Sequence, residues 1–178
     1  MKKTLLFIFI SCSAIISNSQ NNLNVTLAGR LKYPGQTCAN IWGYVDTAGN
    51  EYALVGASKG LSIVNITNPN APFQVKQIPV ANPSSSQNEW REIKTWGKYA
   101  YVTTEAGGGL QIVDLSLLPD TTIPFTYWTP TINSQVLGSI HALHIDNGKA
   151  YLYGSDVGNQ GAIIADVATS PMNPVYLG

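Results

Sequence analysis

The sequence has few charged residues and almost no cysteine, and each shortage excludes a class of protein. Lysine, arginine, aspartate and glutamate make up 11% of its 178 residues, and their formal charges cancel. Without a basic stripe there is no electrostatic reason to expect nucleic acid as a partner. Of the two cysteines only Cys38 follows the N-terminal apolar segment, so no internal disulfide is expected after that segment. We expect Cys38 to be a small buried side chain.

Helical periodicity is also missing beyond the first twenty residues. No later stretch repeats apolar residues with a period of 3.6, whereas short apolar runs alternate with turn residues. The chain contains 16 glycines and 10 prolines, and these residues mark the boundaries of the runs. This pattern predicts an all-β fold.

Residues 1–19 have the features of a signal peptide. Two lysines precede an apolar run over 4–16, and serines stand where a cut before Gln20 requires small residues. The run is too short to span a bilayer as a helix, so no transmembrane anchor is predicted in this segment. Lipidation of Cys12 is the alternative. Phe9 disfavours it, because a lipoprotein signal has a different type of residue three positions before the lipidated cysteine. We therefore expect export and cleavage.

Three segments of the remaining chain repeat one pattern. In each, two apolar runs are joined by a loop that contains glycine, and the second run ends in Asn65, Asp114 or Asp166. These three positions are about 50 residues apart, which suits one four-stranded propeller blade per repeat. The run 61–66 is apolar on both faces, as expected of a sheet covered on both sides. A β-sandwich also has many short strands, but it does not explain the period.

The sequence therefore predicts a β-propeller of four-stranded blades over residues 24–178, with about three blades present. The predicted segments are blades at about 40–80, 89–128 and 139–177, with 25–31 as a leading outer strand. Closed propellers have four to eight blades. We therefore expect an incomplete ring, either a fragment of a longer protein or a subunit that completes its ring by oligomerising.

Several of these segments resemble a known family. The runs Leu61-Ser-Ile-Val-Asn and Leu110-Gln-Ile-Val-Asp resemble the LVIVD repeat. Ile41-Trp-Gly-Tyr and Trp90-Arg-Glu-Ile-Lys are similar to segments of the choice-of-anchor B proteins. Those proteins are exported by bacteria and are built on LVIVD repeats with varied C-terminal anchoring signals. The resemblance covers residues 24–178 and implies a propeller outside the cell or at its surface, without a known activity.

Five polar or aromatic residues are candidates for a ligand-binding site. In a propeller, the start of each innermost strand and the loop between the second and third strands lie on one face of the ring. An alignment of the innermost strands makes Trp42, Arg91 and His141 equivalent, and the loops add Glu105 and Asp156. Convergent polar groups around a concave opening are the usual signature of a binding site.

Structural roles for two of these residues are the alternative. Arg91 can pair with Glu105 or Glu92 to join neighbouring blades, and Trp42 can pack between blades. No metal site or cofactor is expected, because His141 and His144 point to opposite faces of one strand. The sequence also lacks a cluster of cysteines and histidines for zinc.

Two classes of function remain open. The first, which we favour, is an exported or surface-associated propeller that binds an extracellular ligand or protein, with glycans among the candidates. The second is an enzyme that acts on carbohydrate at the channel mouth, for which acid and base groups must be positioned together. Glu105, Asp156 and His141 are the residues that can supply such groups.

Overall fold

The computed structural model describes residues 24–178, and the predicted signal peptide lies outside them. Within this range the chain forms β-strands and a single 3-10 turn, η1 (Gly158–Gln160). Twelve strands form three antiparallel sheets of four strands, each in simple sequential order. No helix among the described residues has the length and hydropathy of a membrane span. The predicted all-β architecture of four-stranded blades is confirmed.

The blades follow one another along the chain. Blade 1 consists of β1 (Cys38–Val45), β2 (Glu51–Ala57), β3 (Gly60–Asn65) and β4 (Phe73–Pro79). Blade 2 consists of β5 (Ile93–Trp96), β6 (Tyr99–Val102), β7 (Leu110–Asp114) and β8 (Phe125–Trp128). A small hairpin follows, formed by β9 (Thr131–Ile132) and β10 (Gln135–Val136). Blade 3 consists of β11 (Ile140–Asp146), β12 (Lys149–Ser155), β13 (Ile163–Asp166) and β14 (Val175–Tyr176).

Two segments differ from the sequence-based expectation. Residues 25–31 form no strand and instead line a cavity together with Ile41, Ala53 and Val64 of blade 1. The hairpin of β9 and β10 was not predicted. Its two-residue loop uses Asn133 and Ser134, which have φ angles of 50° and 66°, in place of the Asn-Gly pair that usually marks such a turn.

Apolar side chains fill both junctions between blades. Between blades 1 and 2 the cluster includes Leu54 and Ile63 from one side and Val113 from the other. Between blades 2 and 3 it includes Tyr101 and Ile112 opposite the apolar side chains of β11, β12 and β13. Blade 2 is therefore buried on both faces, which explains why its central strands are apolar at successive positions.

Strand pairing identifies equivalent positions on the three blades. Leu54 pairs with Ile63, Tyr101 with Ile112 and Tyr151 with Ile164. The first two pairs are fully buried by the following blade. Tyr151 and Ile164 are only half-buried, since no further blade among residues 24–178 covers them. Blade 3 thus presents an uncovered face of the kind that blades 1 and 2 bury.

Truncation of equivalent isoleucines tests this difference. We expect Ile112→Ala to lower the free energy of unfolding by about 2–5 kcal/mol, because it leaves a cavity in a packed junction. Ile164→Ala should cost about 1 kcal/mol, near the average for substitutions. Urea unfolding of the two variants measures both values. Equal costs would contradict the prediction and indicate that the blade 3 face is covered in solution.

Candidate functional site

The carboxylate of Glu105 contacts the imidazole of His141 across the junction of blades 2 and 3. Glu105 lies in the loop after β6 and His141 is the second residue of β11, and Glu105 Oε1 contacts His141 Nδ1. The contact faces solvent, since the side chains are 29% and 69% exposed. Two of the five residues expected at the site therefore form a direct pair.

Backbone contacts between the two blades hold this pair in place. Thr104 and Ile140 form an isolated β-bridge, in which the Ile140 N–H donates to the Thr104 carbonyl at 2.8 Å. The Thr103 hydroxyl donates to the His141 carbonyl at 3.3 Å. Because Glu105 and His141 directly follow the bridged residues, their side chains start from neighbouring points on a fixed backbone.

Two cavities meet at the Glu105–His141 pair. The first, which we name the Trp90 cavity, has a volume of about 440 Å³ and is also lined by Asn40, Trp90 and Glu92. The second, the Asp156 cavity, has a volume of about 450 Å³ and is lined by the pair together with residues that include Gln87, Ser139 and Asp156. The pair is thus accessible to a ligand in either cavity.

Asp156 also lines the second cavity. Its Oδ1 accepts a hydrogen bond from the Gly138 N–H at 3.0 Å, and its own N–H donates to the Ser139 carbonyl at 3.2 Å. These bonds fix the loop after β12 against the segment that enters β11. The structure therefore brings Asp156, Glu105 and His141 to the lining of one cavity.

Arg91 has a different environment from the one expected. It is only 5% exposed, and its Nε and Nη2 donate to the carbonyl and Oδ1 of Asn88 at 3.1 and 3.2 Å. Neither Glu92 nor Glu105 forms an ion pair with it among the described residues. Burial lowers the pKa of the guanidinium to about 10. Arg91 lines the Trp90 cavity, while its head group holds the linker between blades 1 and 2.

The expected equivalence of Trp42 with Arg91 and His141 is wrong. The repeated residues Asn65, Asp114 and Asp166 mark one equivalent position on each second strand, where the pairing residue lies. Those pairing residues are Tyr52, Tyr99 and Lys149. Their partners on the innermost strands are Tyr44, Trp96 and Asp146. Counting back from these partners places Trp42 level with Lys94 and His144. Because β1 has a bulge between Cys38 and Ile41, its residue level with Arg91 and His141 is Cys38, which pairs with Ala57. The error arises because the first hairpin of blade 1 has a longer loop than those of blades 2 and 3.

Trp42 instead takes part in a series of contacts that crosses all three blades. Its indole N–H donates to the Thr95 hydroxyl at 3.0 Å, and Lys94 Nζ lies 4.4 Å from its ring centre. Lys94 pairs with Glu92 at 2.9 Å, and the second Glu92 oxygen accepts the Leu143 N–H at 3.1 Å. These contacts between blades correspond to the packing role that the sequence analysis gave as the alternative for Trp42.

The sequence analysis missed one residue at the site, Trp90, and placed another, Cys38, in the wrong environment. The alignment placed Arg91 on an innermost strand, but β5 begins only at Ile93, so Trp90 and Arg91 lie in the linker and Trp90 remains 51% exposed. Cys38 is exposed at the same cavity rather than buried. Trp90 directly precedes Arg91 in the sequence, and this position next to a predicted site residue could have identified it. Within residues 24–178 no group of histidine, cysteine and carboxylate side chains is arranged to hold a metal ion.

Three sequential four-stranded sheets packed face to face define a propeller-type repeat protein. Residues 45–78 and 90–129 match the family model of the LVIVD repeat. These segments cover most of blades 1 and 2 and support the repeat family expected from the sequence. No curated protein and no solved structure shows a significant match.

Removal of the Asn88 side chain should destabilise the protein more than replacement of Arg91 itself. Asn88→Ala removes the Oδ1 acceptor of Arg91 Nη2 and leaves only the backbone carbonyl bond to Nε. Hydrogen bonds to charged groups contribute about 1.5–3 kcal/mol. Arg91→Met should cost less, because methionine fills much of the space and brings no charge that requires acceptors. Urea unfolding of both variants measures the order. A larger loss for Arg91→Met would disprove this assignment.

Proposed function

We propose that the chain is a propeller-type binding module whose ligand binds at the junction of blades 2 and 3. The observation that carries the proposal is the solvent-facing Glu105–His141 pair, which borders two cavities. Asp156 adds a second carboxylate to the lining. Polar side chains that converge in a concave site are the groups that fix the orientation of a ligand.

The rigidity of the surrounding backbone supports this proposal. Glu105 and His141 follow residues bridged between two blades, and Asp156 is bound to the Gly138 and Ser139 backbone. Groups held in place before binding lose little conformational freedom when a ligand arrives. We assign Glu105, His141 and Asp156 to the ligand. Arg91 and Trp42 have structural roles, in the linker and between the blades.

Catalysis on carbohydrate is a second candidate, and one observation favours it. A carboxylate that contacts an imidazole orients the ring and supports its use as a general base. Asp156 on the same cavity provides a second carboxylate. If the protein is an enzyme, His141→Ala should abolish release of reducing sugars from an oligosaccharide that the variant still binds.

Substitution of the pair tests the binding function. We expect His141→Ala and Glu105→Gln each to weaken ligand binding at least tenfold, which corresponds to about 1.4 kcal/mol. His144→Ala is the matched control, because His144 is an exposed imidazole on the same strand that lines neither cavity. Calorimetric titration with ligands selected from glycan and extracellular-protein panels measures the affinities. Equal affinities for the His141 and His144 variants would reject the site.

We also propose that the protein is exported by a bacterium and belongs with the choice-of-anchor B proteins. Support comes from the composition of residues 1–19 and from the segments that contain Trp42 and Trp90. N-terminal sequencing of the protein from culture medium or cell surface should give a chain that begins near Gln20. A chain that begins at Met1, or at a lipid-modified Cys12, would contradict the proposed processing.

A further inference from the structure

Trp90 is an exposed aromatic residue at the rim of a polar cavity. Half of its surface faces solvent, although tryptophan is among the side chains that gain most from burial. The other residues that line the Trp90 cavity include Asn40, Glu92 and Glu105. A large apolar ring is thus presented beside several hydrogen-bonding groups.

The backbone on both sides of Trp90 is fixed. Its N–H donates to the Gln87 carbonyl at 3.3 Å, and the next residue is the buried Arg91, whose guanidinium is bound to Asn88. The ring is therefore attached to an anchored turn. A side chain presented in this way forms a binding surface at a small entropic cost.

The chemistry of this cavity matches one class of ligand. A pyranose ring has an apolar face of C–H bonds that packs on an aromatic ring, and hydroxyl groups at its edge that donate to carboxylates and amides. Glu92 is paired with Lys94, and the charge of Glu105 balances that of Arg91, so the lining offers no excess positive charge to an acidic sugar. The lining therefore favours a neutral sugar.

We propose that Trp90 is a stacking platform for one ring of a neutral oligosaccharide, whose hydroxyl groups bind to Glu105 and Asn40. This proposal rests on the binding function proposed above and assigns its ligand class. The Asp156 cavity adjoins the first at the Glu105–His141 pair, so the next sugar units extend into it. Affinity should consequently rise with the length of the oligosaccharide.

Fluorescence and calorimetric titrations test the platform. The probes are cello-, xylo-, laminari- and chito-oligosaccharides as neutral ligands, and oligogalacturonate as an acidic one, added to the whole chain. We expect a neutral probe to change the tryptophan emission. Trp90→Ala should weaken its binding at least tenfold and remove most of the emission change, and Trp90→Phe should retain part of the affinity.

The control is Phe73→Ala, which removes an aromatic residue that is 55% exposed but lines neither cavity. It should leave the affinity unchanged. Thermal unfolding of each variant separates lost binding from lost folding.

Each other outcome overturns a defined part of the proposal. If a probe binds in a manner that depends on His141 but not on Trp90, the platform is rejected and the binding site stands. The platform alone is also rejected if only oligogalacturonate binds, or if only an extracellular protein binds at His141. If neither the sugars nor the protein panel binds at Glu105 and His141, both the platform and the proposed function are rejected.

Discussion

The requirement that a blade bury both of its faces governs this structure. Burial of apolar surface is the main favourable contribution to folding, and a twisted four-stranded sheet that is apolar on both sides can satisfy it only between two neighbours. Blade 2 meets the requirement, with Val113 packed towards blade 1 and Ile112 towards blade 3. The polar contacts at the blade junctions occur where this packing has already brought the inner strands side by side.

The candidate site depends on that packing. The bridge between Thr104 and Ile140 exists because blades 2 and 3 share an apolar core, and the Glu105–His141 contact exists because of the bridge. On the adjoining junction the Trp42 ring and Lys94 make a comparable contact. The polar groups at these junctions therefore contribute little to determining the fold, and their positions are set by the packing of the blades.

The strand pattern was predictable from the sequence because the repeat marks it three times. Asn65, Asp114 and Asp166 end equivalent strands, and the Asn147-Gly148 turn forms where its residues predict a hairpin. Positions on the innermost strands were less predictable. Loop length between the first two strands changes from blade to blade, so a shift of three residues misplaced Trp42 while Glu105, His141 and Asp156 still met at one cavity. The partner of Arg91 could not be predicted, because a buried guanidinium bound to neutral acceptors leaves no charge pattern in the sequence.

One repeat position has a wider consequence for how such a protein can change. Level positions at the entry to the three innermost strands hold Cys38, Arg91 and His141, of which Arg91 lies two residues before β5. All three line the same cavity although their sizes and charges differ. The antiparallel order of each sheet is nevertheless the same. Duplication of a blade would thus supply a new copy of this position, whose side chain can differ in size and charge while the strand order stays the same. Recognition and architecture can then evolve, or be engineered, largely independently.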